Sequence, residues 1–200
     1  MNKNMRIFAG ILIFVLIIIS ISINHNIYHI NDNDSEIRAR ENFAEVLNNF
    51  TELNNKNVVL KMGNINDGSA ESIKWPFENY VVTLDINELN NLSDDGFRGL
   101  FAHEFSHLVS YKNKSWIEMI WFGIKYSISD EFKTDVERET DTTTVLHGYG
   151  NDSYAYLEYR LETASEEDRT VYAKYYLSLD EIKNLTEVVA QTQNMKSITV

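Results

Sequence analysis

The spacing of apolar positions changes several times along the chain, and each change predicts a different element. Residues 7–23, IFAGILIFVLIIISISI, run for 17 positions without a charge. As a helix rising about 1.5 Å per residue they would extend about 26 Å, close to a bilayer core of about 30 Å. Residues 24–34 are polar and irregular and read as a stalk, with His25 and His29 as interfacial residues. From Ser35, a suitable N-cap, to about Asn54 the period becomes helical, through Ile37, Phe43, Val46, Leu47, Phe50 and Leu53. Strand-like runs follow at Val58–Met62, Ile73–Phe77 and Tyr80–Ile86, with a turn signal at Asn66-Asp67-Gly68. Ser93 then caps a helix with Asp94 and Asp95 in its first turn. Residues 115–128 are apolar on most sides. Residues 130–146 form a further helix, stopped by Gly148 and Gly150. The rest predicts helices over 153–164, 165–176 and 179–193, the last opened by a capping box of Ser178 and Glu181. This order predicts an α+β fold, mainly helical, with a small antiparallel sheet behind one N-terminal transmembrane helix.

Charge orients that helix. Lys3 and Arg6 precede the apolar run, and Asp32, Asp34 and Glu36 follow it. The positive-inside rule then places residues 1–6 in the cytoplasm, residues 7–23 across the cell membrane as a single-pass anchor, and the remainder outside. A cleaved signal peptide is the alternative, but the run is longer than a signal core and no good small-x-small cleavage site follows. Two of the 18 basic residues and none of the 30 acidic ones precede the run, which leaves a net charge of −14 beyond it. Nucleic acid is an unsuitable partner for so acidic a body. The chain has no cysteine, so any metal site must be built from histidine and carboxylates. The domain proper is expected to span residues 35–150, with 151–200 as a helical C-terminal part of it.

The candidate chemistry lies inside the Ser93 helix. In GLFAHEFSHLVS, residues 99–110, His103 and His107 are one turn apart on a single face and can reach one tetrahedral ion. Glu104 lies about 100° around the helix from His103, placed to reach a water on that ion rather than the ion itself. This is the H-E-x-x-H pattern of zinc proteases. A catalytic zinc needs a third protein ligand, and Glu137, Glu139, Asp141 and His147 lie downstream.

Residues 137–141, ERETD, resemble the Glu-x-x-x-Asp signature of the gluzincin metallopeptidases. Within that clan the chain is most similar to the group containing the CAAX-prenyl endopeptidases, the bacterial membrane heat-shock protease and small archaeal minigluzincins. In these a strand, a polar loop and the motif helix follow one another as in YVVTLDINELNNLSDDGFRGLFAHEFSHL. The resemblance implies a zincin-like domain with one zinc ion held by His103, His107 and Glu137, Glu104 as the general base, and Asp141 supporting a histidine ligand from behind. It covers roughly residues 79–150 and does not reach 151–200. Two features depart from the family. Thr140 stands where Ala is common. Only 29 residues separate His107 from Glu137, whereas the membrane members place two transmembrane helices there.

Periodicity points elsewhere for the third ligand. On the 130–146 helix, Phe132, Val136, Thr143 and Leu146 share a face that includes Glu139 and not Glu137. Glu139 lacks an acidic partner one turn on, whereas Glu137 has Asp141. Glu139 therefore stays open as an alternative, with His147 or Asp141 after it. Tyr149, His147 and Arg160 are candidate donors to the oxyanion that peptide hydrolysis develops. The strand Tyr80–Ile86 either pairs with an extended substrate or lies inside the sheet. Residues 115–128 either lie in a membrane interface or cover the core. The expected activity is that of a membrane-anchored zinc endopeptidase acting on a peptide or protein. The alternatives are an inactive zinc-binding ectodomain that recruits a partner, and a surface interaction protein without metal.

Overall fold

Helices dominate the computed structural model, which describes residues 34–63, 65, 70–74 and 79–198. The apolar run 7–23, the stalk with His25 and His29, and the turn at 66–68 lie outside the described residues. No helix among the described residues is long and apolar enough to cross a membrane.

Helix α1 (Asp34–Asn49) buries Ala39, Phe43 and Val46, spaced four and three apart. Asp34 and Ser35 both lie within the helix, so Ser35 is not its N-cap. The Ser35 hydroxyl instead donates to the Asn90 carbonyl at 3.1 Å. A short 3-10 turn, Thr51–Leu53, follows.

The sheet is mixed rather than antiparallel. Strands β1 (Asn57–Met62), β2 (Ala70–Lys74) and β3 (Asn79–Leu84) lie in the order β1-β3-β2. β3 pairs parallel with β1, from Asn57 opposite Asn79 to Met62 opposite Leu84. It pairs antiparallel with β2, from Ala70 opposite Leu84 to Lys74 opposite Tyr80. Burial explains the order. Tyr80, Val82 and Leu84 are completely buried, and Val81 and Thr83 nearly so, while β1 and β2 alternate between exposed and half-buried residues. The strand apolar on both faces takes the centre, and the weaker strands flank it. β2 begins at Ala70, ahead of the expected Ile73, because its AESIK sequence carries little apolar signal, and residues 75–77 of the expected run lie outside the described residues. With a partner on each side, β3 has no free edge for a substrate strand.

Helix α2 (Asp94–Tyr111) follows, with the Ser93 hydroxyl accepting from the Gly96 N–H at 3.0 Å. All ten residues from Gly99 to Leu108 are buried, polar ones included. Phe101 and Phe105 pack edge-on against Phe43 of α1, with ring centroids at 5.4 and 5.1 Å. Helices α3 (Trp116–Ile128) and α4 (Asp130–Thr144) come next, capped by Ser115 and Ser129. Ser115 and Glu118 form a reciprocal capping box. A wider-turn segment, Val145–Tyr149, breaks at Gly148, whose φ of +93° suits glycine. Helices α5 (Gly150–Thr163), α6 (Glu166–Tyr175) and α7 (Leu179–Ile198) complete the chain. The Ser178–Glu181 box opens α7 as expected, with the Glu181 N–H donating to the Ser178 hydroxyl at 3.3 Å. α5 packs along α2. A Cβ at Gly99 would come within 2.2 Å of the Asp152 carbonyl oxygen, so only glycine permits that approach.

Candidate metal centre

α2 and α4 bring three ligand atoms together. His103 Nε2 lies 3.3 Å from Glu137 Oε2, and His107 Nε2 lies 3.4 Å from the same oxygen. All three are buried, Glu137 to 1% exposure. A tetrahedral ion with bonds of about 2.0–2.1 Å separates its ligand atoms by about 3.3–3.4 Å. Oε2 is wholly buried yet makes no hydrogen bond, although two imidazole nitrogens stand within reach. A buried carboxylate oxygen without a partner is costly. The three side chains could hold a metal ion, and an ion at their focus would satisfy that oxygen.

The atoms behind the ligands fix which nitrogen faces the focus. His103 Nδ1 lies 2.8 Å from Asp141 Oδ1, and an ionised carboxylate only accepts, so Nδ1 donates. Asp141 Oδ2 accepts from the Leu177 N–H at 2.8 Å. His107 Nδ1 lies 3.1 Å from the Thr140 hydroxyl oxygen, and that hydroxyl donates to the Val136 carbonyl at 2.8 Å. The oxygen is therefore left to accept from Nδ1–H. With Nδ1 engaged in this way, Nε2 is the nitrogen each imidazole turns toward Glu137, and in the neutral ring it is the unprotonated one, the tautomer a metal needs. Glu137 is held from its other oxygen, since the Tyr126 hydroxyl of α3 donates to Oε1.

In the metal-free site burial and the neighbouring charges hold protons on His103 and the tyrosines and keep Glu137 ionised. Burial works against a charged His103, but its hydrogen bond with Asp141 and the charges of Asp141 and Glu137 outweigh it and hold the imidazole pKa well above its ordinary value. Burial would raise the Glu137 carboxyl, yet the positive charge of the imidazoles keeps it far below the usual carboxylate range. The Tyr111 and Tyr126 hydroxyls are pushed up by burial and then by the charges of Glu137 and Glu104. Both carboxylates therefore act on the same tyrosine-lined region. Glu104 itself is 6% exposed, beside His103 on α2.

The residues proposed from sequence divide accordingly. His103, His107 and Glu137 converge, with Asp141 behind His103. Glu139 is exposed on the far side of α4. His147 lies outside the cluster, stacked on Phe50 at 4.5 Å with Nε2 3.2 Å from Glu52. The Tyr149 hydroxyl accepts from Asn49 at 2.8 Å, and Arg160 donates to the Tyr172 hydroxyl at 2.7 Å. All three candidate oxyanion donors are thus engaged elsewhere. Thr140, Tyr126 and the Leu177 N–H are supports that sequence reasoning passed over. Thr140 had a signal, because it lies three residues after Glu137 and so shares its face. The other two come from separate elements and had none.

No family model, curated protein or solved structure matches the chain.

Proposed function

We propose that the chain is a zinc-dependent endopeptidase of the gluzincin type, a zincin-like domain anchored through residues 7–23 with the site outside the cell. The observation that carries this reading is the convergence of the His103 and His107 Nε2 atoms on the unpartnered Oε2 of Glu137, with Glu104 next to His103 on the same helix. Two imidazoles and a carboxylate are a catalytic zinc donor set, which leaves a fourth position open. His103, His107 and Glu137 would hold the ion. When bound, zinc lowers the pKa of a coordinated water and polarises a carbonyl.

The chain's own residues supply the rest. Asp141 and Thr140 keep both imidazoles in the ligating tautomer, and Tyr126 holds Glu137 in place. Glu104 takes a proton from the attacking water and returns it to the leaving amine. Burial of the site excludes bulk water from that exchange. The test is metal analysis and peptide hydrolysis of the wild type beside Glu104→Gln and Glu137→Ala. The reading expects one zinc per chain in the wild type and in Glu104→Gln, with hydrolysis lost from the latter, and zinc lost from Glu137→Ala. A Glu104→Gln variant that cleaves as fast as the parent rules the mechanism out. Zinc in the wild type with no hydrolysis of any peptide favours a partner-binding zinc domain instead.

A further inference from the structure

Helix α3 is apolar on two opposite sides. Met119, Phe122 and Tyr126, spaced three and four apart, form the side turned to the body. There Phe122 packs edge-on against Tyr111 and Phe132, with centroids at 5.2 and 5.4 Å, and Tyr126 donates to Glu137. At 100° per residue the opposite side carries Ile117, Trp121, Ile124 and Ile128, flanked by Trp116 and Ile120. Trp116, Ile117, Trp121 and Ile128 are 59, 51, 58 and 78% exposed, and no residue of α3 is fully buried. Ile120 and Ile124 are half-buried, and the four exposed side chains leave a patch of large apolar groups in water that marks a surface something else covers.

The chemistry around the patch identifies the cover. Residues 111–129 contain Lys112, Lys114 and Lys125 and a single acid, Glu118, whose carboxylate is held at the helix N-terminus by Ser115. This local excess of positive charge stands in a body of strongly acidic composition. It makes this face suited to approach an anionic surface that the rest of the body would repel. Lys114 and Lys125 lie over the inward rings of Phe122 and Phe132, at 5.4 and 5.8 Å, so the positive charge borders the outward face from behind. Two tryptophans with isoleucines, lysines behind them and a helix set by its own capping box match an interfacial helix. The sequence also places the uncharged 7–23 run only residues 24–33 ahead of α1, at most about 35 Å of extended chain.

We propose that the outward face of α3 lies in the headgroup boundary of an anionic lipid bilayer. Its inward face touches Glu137, so one helix thickness, about 10 Å, separates the lipid from the metal centre. Peptide segments lying at the membrane surface are then the accessible substrates. The docking itself does not depend on the zinc or on catalysis, and its test reads neither.

The chain has three tryptophans, so Trp75→Phe in the full-length protein leaves Trp116 and Trp121 as the only emitters. The protein is reconstituted in vesicles of phosphatidylcholine and phosphatidylglycerol, with or without bromine on the upper acyl carbons. The expected result is emission lowered at least about twofold by the brominated lipid, with weaker quenching in vesicles of phosphatidylcholine alone. Ile117→Ser combined with Ile128→Ser should reduce the quenching while circular dichroism stays unchanged. Equal emission with brominated and plain lipid overturns the proposal. So does tryptophan shielding that grows with protein concentration in detergent and ignores brominated lipid, which would assign the patch to a second copy of the chain. Equal quenching in neutral and anionic vesicles refutes the role given to the lysines.

Discussion

Asp141→Asn tests the proposed metal centre most directly, because it changes the chemistry of the carboxylate and little volume. In the structure Oδ1 accepts from His103 and Oδ2 accepts from the Leu177 N–H, both at 2.8 Å. Asparagine has one acceptor oxygen and an amide that donates. One of the two buried donors must then face another donor. An unsatisfied buried donor costs about 1–3 kcal/mol. For a body of this size each kcal/mol lowers Tm by about 2–4 °C, so a fall of about 2–12 °C is expected. The charge that raises the basicity of His103 also disappears. Losing such a support behind a metal ligand lowers metal affinity by about 10–100-fold. Competition against a chromophoric chelator measures the zinc affinity, and thermal denaturation with and without zinc measures the stability. A variant that matches the wild type in both would falsify the role assigned to Asp141, and with it the orientation argument for His103.

Further outcomes follow from the same geometry. Thr140→Val removes the oxygen that accepts from His107 Nδ1 while keeping the side-chain shape, and zinc affinity should fall about tenfold by calorimetric titration. His103 is held protonated without metal and must be neutral to ligate. Zinc affinity should therefore drop about tenfold for each pH unit and each displaced proton as the solution is acidified below the metal-free pKa, as chelator competition at several pH values will read. In Asp141→Asn that loss should begin at lower pH, since His103 is then less basic. Gly99→Ala forces α2 away from the Asp152 carbonyl and should destabilise the fold by about 1–3 kcal/mol in urea denaturation, with metal content retained in the folded fraction.

Much of this protein is determined locally and is therefore legible in the chain. Helix starts are set by side chains that satisfy the first free N–H groups, and Ser93 and the Ser178–Glu181 pair do so in the structure as their spacing required. The one-turn spacing of His103 and His107 fixes their common face without any tertiary contact. The acidic partner one turn after Glu137 likewise distinguished it from Glu139. The strand pattern of Tyr80–Leu84 was visible, but its neighbours were not. Nothing local says whether a strand so apolar pairs in sequence order or takes the centre between two weaker ones.

Tertiary structure decided the points where a polar group is buried. On α4 the apolar period pointed to the face of Phe132, Val136 and Leu146, yet Leu146 is 58% exposed. The buried stripe is Glu137, Thr140, Asp141 and Thr144, a polar one. Hydrophobic periodicity assumes that burial is favourable only for apolar groups. That assumption fails where another element supplies the partners. His103 and His107 come from α2, the Tyr126 hydroxyl from α3 and the Leu177 N–H from the segment between α6 and α7. Composition and spacing could nominate the ligands, but only the packing of these distant segments makes it cheaper to bury a carboxylate there than to leave it in water.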